Sequence, residues 1–358
     1  MKEEYLSFLC CPVCNSDLLL ESKITQDSNI EEGVLICKNC KINYPIKNFI
    51  PRFVNQQGYA ESFGSQWNAF AKTQLDDEHT KESTLRFNSE IGWKASELTG
   101  KTVIEIGSGA GRFVEVVSSR GAKLAVGIDM TSAVDAAQDN LGNRENVFFI
   151  QADAFHLPIK KSYFNFAYSI GVLHHTPDPQ LAFESMVDTV EDEGKIGLSL
   201  YEISLYSRPN RNSLKVVSMD LLWALNMWRC ELFRLFTTRV PHVMMIAYCK
   251  TIIPILHHLN KVPVIGLIRY LFPSTCYRNL PVAWSMLDTM DTYSTEIVHQ
   301  YRAKDIFQWF LKIGLTDMIL MNGRAGWVSL IANKGNWTSR KDNALVLEKP
   351  ASLGNIGD

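Results

Sequence analysis

The chain has no uncharged apolar run long enough to span a bilayer. Its most apolar stretch, Val240 to Phe272, is broken by Lys250, Lys261 and Arg269 and by Pro241, Pro254 and Pro263, whereas a spanning helix needs about 18 or more unbroken apolar residues. The first residues also lack a secretory core, because the stretch Tyr5 to Cys10 is too short for one. These absences set the expectation of a cytoplasmic protein. Net charge is nearly absent as well: 36 Lys and Arg stand against 38 Asp and Glu, a formal charge of −2, so no global attraction to nucleic acid is expected. That balance conceals an asymmetry, since Leu205 to Leu280 carries ten Lys or Arg against only Asp220 and Glu231.

What is present begins with cysteine. Three of the eight, Cys230, Cys249 and Cys276, are scattered and expected in packed interior. The other five precede residue 41, and four of them form two CxxC knuckles, Cys11-Pro12-Val13-Cys14 and Cys37-Lys38-Asn39-Cys40. A CxxC turn sets two thiolates on one side of a tight loop, and two such turns close a four-sulfur tetrahedral site with no open position. We therefore expect structural zinc on Cys11, Cys14, Cys37 and Cys40, with iron as the alternative the ligand set does not exclude. Cys10 adjoins the first knuckle but lies outside the CxxC spacing. Residues 1–54 are expected as a ribbon that depends on its metal, since so short a segment buries little apolar surface.

From Lys101 onward, strand and helix patterns alternate. Thr102 to Ile106 is a β-branched run ending in Glu105-Ile106-Gly107-Ser108-Gly109-Ala110-Gly111, and the apolar residues of Arg112 to Arg120 fit one helical face. Glycines at such a turn let backbone approach a ligand at the helix start. Asp129 closes a second strand, Leu124 to Ile128, where a carboxylate can accept both ribose hydroxyls. The choice between a dinucleotide and S-adenosylmethionine rests on Glu105, which would repel a pyrophosphate and attract an ammonium. Strands are also expected at Val147 to Gln151, Phe164 to Ile170 and Lys195 to Tyr201, with Asp153 placed to meet an adenine amino group.

Val103 to Phe113, Gly127 to Met130, Gln151 to Ala154 and Ser169 to Pro179 resemble the consecutive motifs of class I S-adenosylmethionine-dependent methyltransferases. The likeness resumes in a helix over Lys304 to Ile313 and strands Leu315 to Met321 and Trp327 to Asn333. Residues 1–54 are similar to the small zinc-ribbon subunit that activates RNA and protein methyltransferases. The resemblance implies a Rossmann-like α/β fold with a seven-stranded sheet over residues 101–202 and 300–334. It assigns Glu105, Gly107, Gly109 and Gly111 to the methionine end of the cofactor, Asp129 to the ribose, and Asp153 and Ala154 to the adenine; Ser169, at the end of the fourth strand, is expected to bind the cofactor as well. That rim reads Ser169-Ile170-Gly171 in place of the Asn/Asp-Pro-Pro-Tyr of many amino-methylating members, which disfavours transfer to an exocyclic amine.

The remaining segments surround this core. Residues 55–100 are expected as a linker with helices covering the cofactor, Trp67 and Phe70 sharing a helix face and Arg86 available to the methionine carboxylate. Residues 203–299 are expected as a helical insertion that caps the site and recognises the acceptor. Its apolar, basic character also suits an anionic or lipid-linked substrate or an anionic membrane surface. Residues 335–358 read as a mobile tail. A hydroxyl acceptor must lose its proton, so His175, with His174 beside it, is the expected base; Tyr201 and the patch Asp291 to Ser294 are further candidates. His242, His257 and His258 are expected to pack within the insertion. The sequence thus reads as an O-methyltransferase for a small molecule, a glycan or a lipid-linked intermediate, with nucleic acid disfavoured as partner. A ribbon-guided RNA or protein methyltransferase is the alternative.

Overall fold

The computed structural model describes residues 1–26, 29–54, 61–203, 214–324, 326–335 and 346–347. A short 3-10 turn, Glu3–Ser7, leads into a four-stranded antiparallel sheet of β1 (Leu18–Gln26), β2 (Asn29–Cys37), β3 (Asn43–Lys47) and β4 (Ile50–Pro51), in that order. The CxxC turns flank the β1–β2 hairpin. Alternation along β2 buries Ile30, Leu35 and Cys37, while β1, an edge strand, is mostly exposed.

Helices α1 (Glu61–Ala69), α2 (Glu82–Glu90) and α3 (Ala95–Leu98) precede the large sheet. Its parallel half comprises β5 (Thr102–Ile106), β6 (Leu124–Asp129), β7 (Val147–Gln151), β8 (Phe164–Ile170) and β9 (Val190–Tyr201), connected by α4 (Arg112–Ser119), α5 (Ala133–Leu141) and α6 (Pro179–Asp188). The insertion folds as α7 (Leu214–Thr237), α8 (His242–Leu259), a 3-10 segment Ile265–Leu271 and α9 (Val282–Ser294). Helix α10 (Ala303–Lys312) then brings the chain to β10 (Leu315–Leu320) and β11 (Trp327–Lys334), the latter antiparallel to β9.

The strand order β10-β11-β9-β8-β5-β6-β7 is the expected seven-stranded sheet. Two departures have local causes. Strand β9 starts at Val190, ahead of the expected Lys195, because Glu193 in the left-handed region and a register shift opposite Phe164 and Phe166 let residues 190–194 join the strand. The expected mobile tail is partly fixed: β12 (Val346–Leu347) pairs in parallel with Ile319 and Leu320, adding a short eighth strand. The rest of 336–358 lies outside the described residues.

Period-two alternation gives the sheet two apolar faces. Val103, Phe149, Phe166 and Tyr168 face α2, α4 and α5. Ile104, Ile106, Phe148 and Ile150 face the ribbon, α6 and α10, and this cluster runs without a break into Tyr5, Phe8, Leu35 and Tyr44. Tyr5 stacks at 4.4 Å from Phe148, and Phe8 meets Phe164 at 5.5 Å. Polar joints fix the approach: Arg52 pairs with Asp135 at 2.5 Å and donates to Gln151 Oε1 at 2.9 Å. Each such fully buried aromatic or branched side chain contributes about 1.5–3 kcal/mol, so the ribbon and sheet are one core rather than two.

The insertion has its own cluster, in which Cys249, Ile253, Leu287, Met290 and Tyr293 pack with Phe70. The three scattered cysteines are buried, as expected. His257 is buried with Nδ1 2.9 Å from Ser285 Oγ, whereas His258 turns to solvent, because its neighbour already occupies the inward face of α8. Among the described residues no helix is long and apolar enough to cross a membrane.

Candidate cofactor and acceptor site

A cavity of about 370 Å³ opens at the C-terminal ends of β5, β6 and β8, floored by Glu105, Gly107 and Gly109 and roofed by α1 and α9. The glycine turn is shaped by contact. Gly107 adopts φ +83°, and any Cβ there would fall 2.2 Å from Val172 Cγ1. Gly109, at φ +50°, lies under Trp67, whose indole carbon would be 3.0 Å from an added Cβ. Trp67 and Phe63 line the cavity, so α1 lies over the crevice.

Asp129 is tied to that turn. Its Oδ2 accepts from the Gly109 amide at 2.9 Å, and its Oδ1 accepts from Thr131 N and Oγ at 2.9 and 2.7 Å. Glu105 is buried beneath the turn, accepting from Tyr168 Oη at 3.2 Å, and burial pushes its carboxyl up to about 8. Across the cavity, Arg86 donates through Nε to Glu90 Oε1 at 2.9 Å and stacks 4.1 Å from the Trp327 ring. Glu90 in turn accepts from Ser199 Oγ at 2.7 Å. The other end of the guanidinium, Nη2, is buried with no hydrogen-bond partner among the described residues. An uncompensated buried donor is costly unless a ligand supplies its acceptor. Buried acid on one side and an orphaned guanidinium nitrogen on the other match the ammonium and carboxylate of an amino acid, and the residues therefore fit S-adenosylmethionine.

Not every expected residue meets the cavity. Ala154 and Ala152 line it, while Asp153 between them points away, accepting from the Phe155 amide at 3.0 Å. Gly111 caps α4 and faces Leu141 and Phe149 in the core. Ser169 is fully buried and donates to the Ile106 carbonyl at 2.8 Å, because alternation along β8 turns it to the face opposite Tyr168. His174 and His175 also part company. They lie in a 3-10 turn, Leu173–His175, with their rings 4.1 Å apart, but only one of them reaches the cavity. His175 lines the cavity, its Nδ1 2.8 Å from the Ile297 carbonyl. His174 is wholly buried behind it, stacked 3.9 Å from the Tyr201 ring, with neither ring nitrogen partnered among the described residues. Burial lowers both, His175 to about 4.

The acceptor end joins Asp291, from the expected polar patch, to groups the sequence reading missed, Asp288 first among them. Asp288 and Asp291, one turn apart on α9, both reach the cavity. Asp288 accepts from Tyr277 Oη and, at 3.3 Å, from Gln74 Nε2; Asp291 accepts from Gln66 Nε2 at 3.4 Å. Burial raises both, Asp288 to about 6. Arg112 at the first position of α4 is buried against Gln74 and Ser83, which pushes it down to about 9. The i, i+3 spacing of Asp288 and Asp291 was the available signal. Of the expected polar patch, Asp291 and Thr292 reach the cavity, and Tyr293 turns inward to Cys230.

The four knuckle sulfurs converge, all within 4.8 Å of one another, with Cys14 and Cys37 at 3.5 Å. A tetrahedron of Zn–S bonds of about 2.3 Å needs edges of about 3.8 Å. The Cys40 amide points at Cys37 Sγ at 3.3 Å, and Tyr44 Oη lies 3.2 Å from Cys11 Sγ. Donors aimed at sulfur suit thiolates, so the set fits zinc. Cys10 is outside the cluster.

Comparison with known proteins agrees with this division. Residues 104–198 match the family described as methyltransferase domain, and residues 2–48 match the Trm112p-like protein family. A tRNA U34 carboxymethyltransferase of Ruthia magnifica subsp. Calyptogena magnifica is 31% identical over 112 residues, 30% of this chain and 35% of that protein. The chain thus spans about a third of the length of this curated relative. Among solved structures, an S-adenosylmethionine dependent methyltransferase from Mesorhizobium loti aligns over 30% of this chain and 48% of its own, with 23% identity and a TM-score of 0.28. The complex between the Haloferax volcanii Trm112 methyltransferase activator and a methyltransferase aligns over 76% of this chain and 98% of that one, with 11% identity and a TM-score of 0.43. A methyltransferase domain, with the S-adenosylmethionine cofactor that goes with it, is joined here to a Trm112-like domain bearing a four-cysteine site.

Proposed function

We propose that this chain, a methyltransferase domain joined to a Trm112-like ribbon, moves the methyl group of S-adenosylmethionine onto an oxygen of a small hydroxyl-bearing acceptor, a glycan or a lipid-linked intermediate. The observation that carries the oxygen reading is His175, whose ring faces the cavity with Nδ1 committed to the Ile297 carbonyl. A carbonyl only accepts, so Nδ1 carries the proton and Nε2 keeps its lone pair, ready to take a hydroxyl proton. When bound, the cofactor supplies a methyl group on a positively charged sulfur. Glu105 and Arg86 would hold its amino-acid end and Asp129 its ribose. Asp288 and Asp291 would accept from acceptor hydroxyls and orient them. Trp67 and the α9 roof exclude water, and positioning in a dry site supplies much of the rate in such a displacement.

An RNA acceptor is the second reading. It is favoured by the match to a tRNA U34 carboxymethyltransferase and by the Trm112p-like segment, which weigh against the expectation that nucleic acid is disfavoured as partner. Incubation with S-adenosylmethionine labelled in the methyl group, followed by separation of cell extract into metabolite, lipid and RNA fractions, tests the choice. Label in the metabolite or lipid fraction, stable as an ether or ester, is the expected result. Label confined to RNA would establish the alternative.

A further inference from the structure

Helix α7 presents an apolar stripe to solvent. Leu225, Trp228, Leu232, Leu235 and Phe236 are all exposed, Trp228 by 67% and Phe236 by 68%, and their spacing places them on one side of the helix. The opposite side buries Cys230 and Thr237. Residues 262–272 extend the surface, with Val264 81% and Leu271 73% exposed. Arg229 joins the two elements: its Nη1 donates to the Phe272 carbonyl at 2.8 Å and its guanidinium lies 5.4 Å from the Tyr270 ring. Isolated exposed apolar residues are ordinary, but a contiguous patch of this kind marks an interaction surface.

Charge indicates what covers it. Residues 225–280 contain seven Lys or Arg and a single acid, Glu231; of the seven, Arg239, Lys250, Lys261 and Arg278 are exposed, while Arg234 turns inward to the Thr292 and Thr295 carbonyls. Protein interfaces deplete charge at their apolar centre, whereas basic side chains interleaved with exposed Trp, Phe and Leu suit anionic headgroups and the acyl boundary beneath them. We propose that the α7 stripe and the 262–272 segment dock this protein on an anionic bilayer surface, lying in the interface without crossing it.

The location has a consequence for the site. Cys230 and Arg234 of α7 line a second chamber of about 220 Å³, which shares His175, Tyr201, Asp291 and Trp327 with the cofactor cavity. Docking through α7 therefore brings the acceptor end close to lipid-borne substrates. That link rests on the proposed methyl transfer; the docking itself does not.

The test is flotation of the full chain with vesicles of phosphatidylcholine alone or mixed with phosphatidylglycerol. The protein is expected to float only with phosphatidylglycerol present, and less so as salt rises. The Val264→Glu/Leu271→Glu and Arg239→Glu/Lys261→Glu double variants should each lose about tenfold or more of this partition. Their melting temperature should match the parent's, which separates lost docking from lost folding, and calorimetry with S-adenosylmethionine reads the cofactor site separately. A parent chain that ignores anionic vesicles, or variants that float like the parent, would overturn the proposal. So would a dimer in sedimentation that Val264→Glu dissolves, or protection of the patch by tRNA, where no vesicle binding occurs.

Discussion

The Nδ1 atom of His175 lies 2.8 Å from the carbonyl oxygen of Ile297, a contact between the turn after β8 and the strand-like segment that returns from α9. The same segment meets the neighbouring turn residue, the His299 amide donating to the His174 carbonyl at 2.9 Å. One ring tautomer is thereby selected, and the insertion that roofs the site also orients its candidate base.

If His175 takes the acceptor proton, His175→Ala should lower kcat by about 10²–10⁴-fold while cofactor affinity stays within about twofold. The pH profile adds a second check. Burial holds the ring down to about 4, so the neutral form persists above that pH and is lost as pH falls through it. Any loss of turnover between pH 8 and 5 should come from carboxyls such as Asp288, which burial raises to about 6, and disappear in Asp288→Asn. A limb near 6.5 that persists in Asp288→Asn, or full activity in the alanine variant, would remove His175 from this role.

Glu105 gives a prediction of opposite sign. Its folded carboxyl is raised to about 8, against about 4.3 when unfolded. Between those values the native protein keeps a proton that the unfolded chain has released, so the stability of the unliganded protein falls as pH rises through the window. An ammonium ligand favours the ionised carboxylate, so cofactor affinity should climb with pH toward 8, and binding should expel a proton, detectable by calorimetry in buffers of different ionisation heat. Glu105→Gln should abolish that proton release and weaken binding by about ten- to hundredfold, while melting at higher temperature than the parent at alkaline pH.

The glycine turn can be tested by shape. Valine at 109 would require a strained φ and push against Trp67, so Gly109→Val should abolish cofactor binding measured by calorimetry. Asp129→Ala removes both the ribose acceptor and the partner of the Gly109 amide, and should weaken affinity by at least about tenfold. Asp129→Asn, which retains an acceptor for that amide, should lose less.

Metal removal should be felt beyond the ribbon. Structural zinc contributes about 10–16 kcal/mol to such sites, and the cluster around Tyr5, Phe8 and Leu35 continues into Phe148 and Ile150 of the sheet. Chelation should therefore lower the melting temperature of the whole chain in a single transition. Two separate transitions, with the sheet's unchanged, would contradict the shared core; metal analysis should return one zinc per chain.

Much of this architecture was legible in the sequence because it is local. Alternating apolar residues and the Gly107 to Gly111 turn define β5 to β8 within a residue or so, and two CxxC spacings define the sulfur site. What was not legible depends on phase or on distant packing. Whether His174 or His175 faces the crevice depends on the 3-10 turn, and whether Ser169 does depends on which face of β8 it occupies. Asp288 and Tyr277 join the site only because α9 folds back over it, and that follows from α8 and α1 packing on α9, which no short motif encodes.

The most direct measurement is a calorimetric titration of the purified chain with S-adenosylmethionine beside one with a nicotinamide dinucleotide. Saturable binding of the first, weakened by Glu105→Gln and by Arg86→Ala, and none of the second, is the result expected from a cavity lined by a buried carboxyl and a guanidinium nitrogen with no partner among the described residues. Uptake of the dinucleotide with indifference to S-adenosylmethionine would contradict the account at its base.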